Sequence, residues 1–118
     1  YIAGTNTVYA LFNDGFDPAW VAFENRYDPS IHPESLENFV PPSGFYQPIA
    51  ILGYVWRGND TVRNRLGLAL QPQSEYEGFT QTAFASGGSE NLYVSSVDGS
   101  VLLILPGGTS WQIIAPAP

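Results

Sequence analysis

The chain contains no cysteine and no methionine. Without cysteine there are no disulfides, thiolate metal sites or cysteine nucleophiles, so packing and hydrogen bonding alone must hold the fold. Lysine is also missing, which leaves Arg26, Arg57, Arg63 and Arg65 as the permanently charged bases. Against 11 acidic residues they give a net charge of −7, which repels a phosphate backbone or an anionic membrane surface and argues against nucleic acid as a partner. Only 13% of residues are charged, roughly half the share of an ordinary soluble domain. Uncharged Gly, Ser, Thr, Asn and Gln must therefore cover the surface, a composition common in extracellular β proteins. No apolar run approaches the roughly 20 residues that a membrane-spanning helix needs, so no membrane insertion is expected. The lack of methionine and the strand-like start at Tyr1-Ile2-Ala3 lead us to expect a processed mature chain or a piece of a longer one.

With 118 residues, 44% hydrophobic and 14% aromatic, the chain can supply the core of one domain, 1–118. The strongest pattern within it is an internal repeat. YIAGTNTVYALFNDGFDPAWVAF at the N-terminus aligns with YVSSVDGSVLLILPGGTSWQII at 93–114. The alignment pairs Tyr1 with Tyr93, Val8 with Val101, Leu11 with Ile104, Gly15 with Gly108 and Trp20 with Trp111. Each segment reads as a three-stranded antiparallel meander. A short strand enters a turn at Gly4-Thr5-Asn6 or Asp98-Gly99-Ser100, where residues tolerate positive φ or bond their own backbone. An apolar strand follows, Val8 to Phe12 or Val101 to Leu105, continuous enough to suggest burial on both faces. A second turn, Asn13-Asp14-Gly15 or Pro106-Gly107-Gly108, leads into the strand that carries the tryptophan.

Between the meanders, residues 28–48 hold Pro29, Pro33, Pro41, Pro42 and Pro48, which remove backbone donors and fix φ. This is expected to be a long irregular linker, laid against the domain by Ile31, Leu36, Phe39 and Val40. A short helix is expected near residues 59–66. Asn59 or Asp60 can cap its first amides, Val62 and Leu66 share a face, and Gly67 suits the position after its end. Residues 68–90 are turn-rich, with Phe79 and Phe84 as expected buried anchors and Gly87-Gly88 leading into the second meander. The fold class is thus mostly β: a partial repeat at 1–27, a linker at 28–48, and a complete repeat of helix plus meander at 49–118.

The run from Val55 to Pro72, of the form VWR-x₄-VRNRLG-x-A-x-x-P, together with the downstream NLYV, VLLIL and SWQII strands, resembles uncharacterised secreted bacterial repeat modules. Such modules occur in tandem in surface proteins and lipoproteins of filamentous thermophiles. Val8 to Gly15 is similar to the end of one such unit, and residues 54–114 to a whole following unit. A weaker similarity runs through Leu66-Gly67 to the LGFP repeats of bacterial envelope proteins. Gln73 stands where an acidic residue is common in the pattern, and Pro106-Gly107-Gly108 replaces a second Asn-Asp-Gly. The resemblance implies an extracellular or cell-surface location and supplies no catalytic residues.

The residues themselves support no enzyme and no cofactor. His32, the only histidine, has only Asp28 and Glu34 near it in sequence, too few partners for a metal site or a triad. Asn13, Asp14 and Asp17 could offer oxygens to Ca²⁺, but they lack the spacing of a calcium loop and read as turn chemistry. The acid pairs Glu34/Glu37 and Glu75/Glu77 read as solvated. Trp20 and Trp111, at matching repeat positions, are expected in the core. Trp56, Tyr46, Tyr76 and Arg57 remain as candidates for a binding surface. Two functions compete. The first is a structural or interaction module of a surface assembly or filament, joined to itself or to another surface protein through strand edges and aromatic packing. The second is a carbohydrate or cell-wall binding module.

Overall fold

The structure, a computed structural model, describes residues 1–84 and 88–117. Gly87 and Pro118 therefore lie outside the described residues. The architecture is mostly β, with a two-stranded and a four-stranded antiparallel sheet and two short helices. Contacts group the chain into two compact units, one of Tyr1–Ala10 and Ala22–Ser74, the other of Leu11–Val21 and Glu75–Pro118.

The first unit begins with an Ile2–Thr7 bridge closed by a 3-10 turn at Ala3–Thr5. The expected opening strand is thus reduced to one bridge, because Asn6 in the left-handed region (φ 54°) turns the chain at once. Strands β1 (Thr7–Leu11) and β2 (Trp20–Glu24) then pair as a hairpin. Its base belongs to the first unit and its tip, residues 11–21, to the second. Along β1 burial alternates, with Val8 and Ala10 inside. The strand buries one face rather than the two that its apolar run suggested, because Tyr9 and Leu11 remain half-exposed.

The helix expected near 59–66 is α2 (Asp60–Leu66). The Asn59 side chain accepts from the Val62 N–H at 3.0 Å, and Gly67, at φ 69°, donates its N–H to Arg63 O at 2.9 Å. Sequence reasoning missed the helix before it, α1 (Ala50–Gly58). Its residues, AILGYVWRG, combine a central and a terminal glycine with several β-branched and aromatic side chains, which lowers their helix propensity. Packing supplies the stability instead: Trp56 of α1 and Val62 of α2 are both buried. Asn59, extended at φ −135°, ψ 110°, ends α1 and starts α2.

The proline-rich stretch contains no helix or strand apart from a bridge between Tyr46 and Ala69. It lies within the first unit, held mainly by polar bonds. Ala50 N–H donates to Glu34 O at 2.9 Å, the Gln47 amide accepts from Leu36 N–H at 2.6 Å, and Arg57 Nη2 donates to Pro33 O at 2.6 Å. Of the four apolar anchors expected there, Phe39 sets its ring edge-on to Trp56, at 6.2 Å between centroids. Ile31, Leu36 and Val40 face solvent. Proline-interrupted backbone cannot join a ladder, so single bonds to side chains and carbonyls replace one.

In the second unit, β3 (Thr80–Phe84), β4 (Glu90–Ser95), β5 (Val101–Ile104) and β6 (Trp111–Ala115) form a sheet in sequence order. On β5 the neighbours Leu103 and Ile104 point to opposite faces and both are buried, as the continuous apolar run predicts. Strand β3 was not foreseen. Phe79 and Phe84 are exposed rather than anchoring, since Thr80–Phe84 pairs with β4 through its backbone while its side chains stay mostly in solvent. Among the described residues no large side chain is completely enclosed, as expected when 118 residues supply two shallow cores.

The β4–β5 turn gives a pH-dependent contribution. The Asp98 carboxylate accepts from the Ser100 hydroxyl at 2.6 Å and from the Ser100 N–H at 2.9 Å. These bonds, the hydroxyl's first, hold the Asp98 carboxyl below its ordinary range. The folded value thus lies below the unfolded one. The ionised turn stabilises the fold above the unfolded value of about 4 and loses that contribution as pH falls through the folded value. Thermal unfolding followed from about pH 6 down to about pH 2 is expected to show Asp98→Asn with a lower Tm at the upper end and a shallower decline. A decline as steep as that of the parent would contradict this role.

Candidate functional site

The four candidate binding residues are divided between the two units. Trp56, Tyr46 and Arg57 belong to the first unit and Tyr76 to the second. Trp56 is only 7% exposed, and its indole N–H donates to Gly67 O at 2.8 Å. Its ring therefore ties α1 to the end of α2 and is not spread on the outer surface as a sugar-stacking platform would be. Arg57 spans from α1 to Pro33 O and lies over the Tyr54 ring, 5.9 Å from its centroid. Tyr46 is exposed beside its backbone bridge to Ala69, and the Tyr76 hydroxyl donates to Ser95 O at 2.8 Å.

His32 stacks on Tyr54, with ring centroids 4.5 Å apart, and Tyr27 lies 6.1 Å from it on the next ring. Its Nδ1 accepts from the Asp28 N–H at 2.9 Å, closing the turn that also holds Ser30 on the Asp28 carboxylate. Both Ser30 bonds, and more weakly the nearby His32, lower the Asp28 carboxyl below its ordinary range. The imidazole is a packing and capping group here. In the hairpin tip, Asp14 Oδ1 accepts from the Phe16 N–H at 3.1 Å, the turn chemistry that Asn-Asp-Gly favours. Among the described residues no three His, Asp or Glu side chains gather as metal ligands.

The most organised aromatic feature lies in the second unit, and it involves residues paired by the sequence alignment. The Trp20 indole N–H donates to Leu105 O at 2.7 Å, and the Trp111 indole N–H donates to Phe12 O at 2.8 Å. Phe12 and Leu105 are the last residues of the two apolar runs. The loops that follow them close in the same way: Phe12 N–H donates to Ala19 O at 2.9 Å, and Leu105 N–H to Ser110 O at 3.0 Å. One further bond, Ala19 N–H to Gly108 O at 2.8 Å, joins the loops. Each hairpin tip thus receives the tryptophan of the other. A side chain at Gly108 would sit 3.0 Å from Trp20 O, so glycine allows this approach as well as the positive φ of 72°.

Around this pair the sheet presents apolar surface and open edges. On β6, an edge strand, Ile113 is 58% and Ile114 46% exposed. The opposite edge is β3, ending in the exposed Phe84. Charge is unevenly shared between the units. Asp14, Asp17, Glu75, Glu77, Glu90 and Asp98 lie in the second unit, which has no arginine, lysine or histidine. All four arginines and His32 lie in the first.

The fold therefore defines a mostly β protein in which two hairpin tips are joined by exchanged tryptophan hydrogen bonds. Compared with family models, with curated proteins and with solved structures, the chain matches none. Among the described residues no helix is long and apolar enough to cross a membrane.

Proposed function

We propose that this protein is a non-enzymatic structural or interaction module of the bacterial cell surface or extracellular space, one that assembles with copies of itself or with similar modules through strand edges and aromatic packing. The observation that carries this reading is the exchange of Trp20 and Trp111. Two segments alike in sequence hold each other by the same bonds in both directions, which supports their origin as copies of one repeat. An element that recognises its own kind is what a self-complementary interface requires. The resemblance of Val55 to Pro72 to tandem modules of secreted bacterial proteins supports the same setting.

The available edges are β3 and β6, and an exposed edge strand with apolar side chains is a template for pairing. The carbohydrate-binding alternative has weaker support, because Trp56 is buried and Arg57 and the Tyr76 hydroxyl are bonded to backbone carbonyls.

Charge makes the reading testable. The second unit carries six acidic groups and no basic ones, so association through its sheet works against repulsion that salt screens over about 10 Å at 0.1 M. Sedimentation velocity of the full chain is expected to show more of the larger species at high than at low ionic strength. Ile113→Glu, which replaces an exposed apolar side chain of the β6 edge with a further negative charge, should return the chain to monomer. A monomer at every salt and protein concentration would refute the assembly reading.

A further inference from the structure

The first unit contains a cavity of about 350 Å³ that none of the preceding functional argument uses. It opens between β1, α1, α2 and the segment that follows α2, and its walls include Val8, Ala10, Leu52, Val55, Trp56 and Leu66. We propose that this cavity is a binding site for a small uncharged aromatic molecule with one hydrogen-bonding group, of about the size of indole.

Three observations define that ligand class. The first is charge: the first unit holds all four arginines, His32 and five of the 11 acids, yet no charged residue lines the cavity. An ion entering it would give up part of its hydration and gain no counter-charge in return. The second is size. Apolar cavities of about 150 Å³ stay dry and admit benzene, so a space about twice as large accommodates a fused or substituted ring. The third is the distribution of polar groups. Gln47 is committed, accepting from Leu36 N–H at 2.6 Å and donating to Leu36 O at 3.3 Å. Gln71 and Gln73, exposed where they line the mouth, can meet a single N–H or O–H group.

The apolar wall is accessible as it stands. Leu52 is 37% and Leu66 48% exposed although both line the cavity, so a ligand ring would remove leucine surface from water at about 25 cal/mol per Å². Trp56 offers the wall an aromatic ring held in place by its bond to Gly67 O and by the edge of Phe39. A ligand ring can pack against it in the offset or edge-on geometry that aromatic pairs prefer. A sugar, with polar groups on every side, would leave most of them without partners here.

The test uses the full chain labelled with 5-fluorotryptophan and indole as the probe. Its three tryptophans give three ¹⁹F signals, of which Trp56 alone belongs to the cavity while Trp20 and Trp111 lie in the second unit. The expected result is a saturable shift of the Trp56 signal with the other two unmoved. Leu52→Glu, which places a charge at an accessible point of the wall, and Ala69→Leu, which fills the space, should each weaken binding about tenfold or more while the three signals stay dispersed. Two variants with different chemistry keep the test open if one of them misfolds. No shift, equal shifts of all three signals, or binding unchanged in a folded variant would overturn the proposal. So would a Trp56 shift that follows protein concentration without indole, which would mean that a second copy covers the cavity.

Discussion

Trp20→Phe and Trp111→Phe are expected to lower the free energy of unfolding by similar amounts, about 1–3 kcal/mol each. Each substitution removes an indole N–H and with it the bond to Leu105 O or to Phe12 O. A phenyl ring retains much of the apolar contact, so the loss reports mainly on the hydrogen bond. Alanine would add the cavity and raise the cost to about 3–5 kcal/mol. Because both bonds join the same two hairpin tips, the double substitution is expected to cost less than the sum of the singles: once one bond is gone, the tips hold the other less firmly. Urea unfolding followed by far-ultraviolet circular dichroism gives the energies. Hydrogen exchange gives the location: amides of 101–115 should exchange faster, with those of α1 and α2 unchanged. A large effect at one tryptophan and none at the other would show that the exchange is reciprocal in geometry but not in energy.

Gly53→Ala is expected to destabilise the first unit, even though alanine is the better helix former by about 1 kcal/mol. Gly53 is a buried residue in the middle of α1. A Cβ there would lie 2.5 Å from Pro48 O and 2.8 Å from Pro48 C, both backbone atoms, and 3.4 Å from Arg57 Nη1. The side chain of Arg57 can adjust, but the carbonyl of Pro48 cannot move without dislodging the chain that enters α1. Overpacking of this kind costs about 1–3 kcal/mol, which outweighs the gain in helix propensity. The contrasting substitution is Gly58→Ala, at the last residue of α1, where nothing lies within 4 Å of the added carbon. It should be neutral or slightly stabilising. Thermal unfolding of the two variants side by side checks the sign, and a stabilised Gly53→Ala would show that the Pro48 segment yields freely.

Much of the local structure was legible before any coordinate was known. Asn59 and Gly67 mark the ends of α2 because capping depends on chemistry within three or four residues. The apolar runs at 8–12 and 101–105, each followed by a turn, announced the strands, and the matching positions of Trp20 and Trp111 singled out the pair that proved to be exchanged. What was misread is the fate of single apolar residues. Phe79 and Phe84, set among turn residues, suggested anchors and proved exposed; Trp56, taken as a surface candidate, proved buried. Hydrophobicity states that a side chain can be buried, and only the neighbours it meets decide whether it is.

The sequence by itself determined that the protein is mostly β, where α2 begins and ends, and which turns close its hairpins, since each rests on interactions between residues close along the chain. The tertiary structure alone decided three further things. Helix α1 exists although a nine-residue segment with two glycines is too short to hold itself, because burying Trp56 and Gly53 stabilises it. The tip at 11–21 joins 75–118 rather than its own sequence neighbours, because Trp20 and Trp111 find their acceptors 85 and 99 residues away. And an uncharged cavity lies in the unit that contains every arginine, because its walls come from elements that are separate in sequence. Each of these is a long-range closure, and no local pattern of residues encodes which distant surface will complete it.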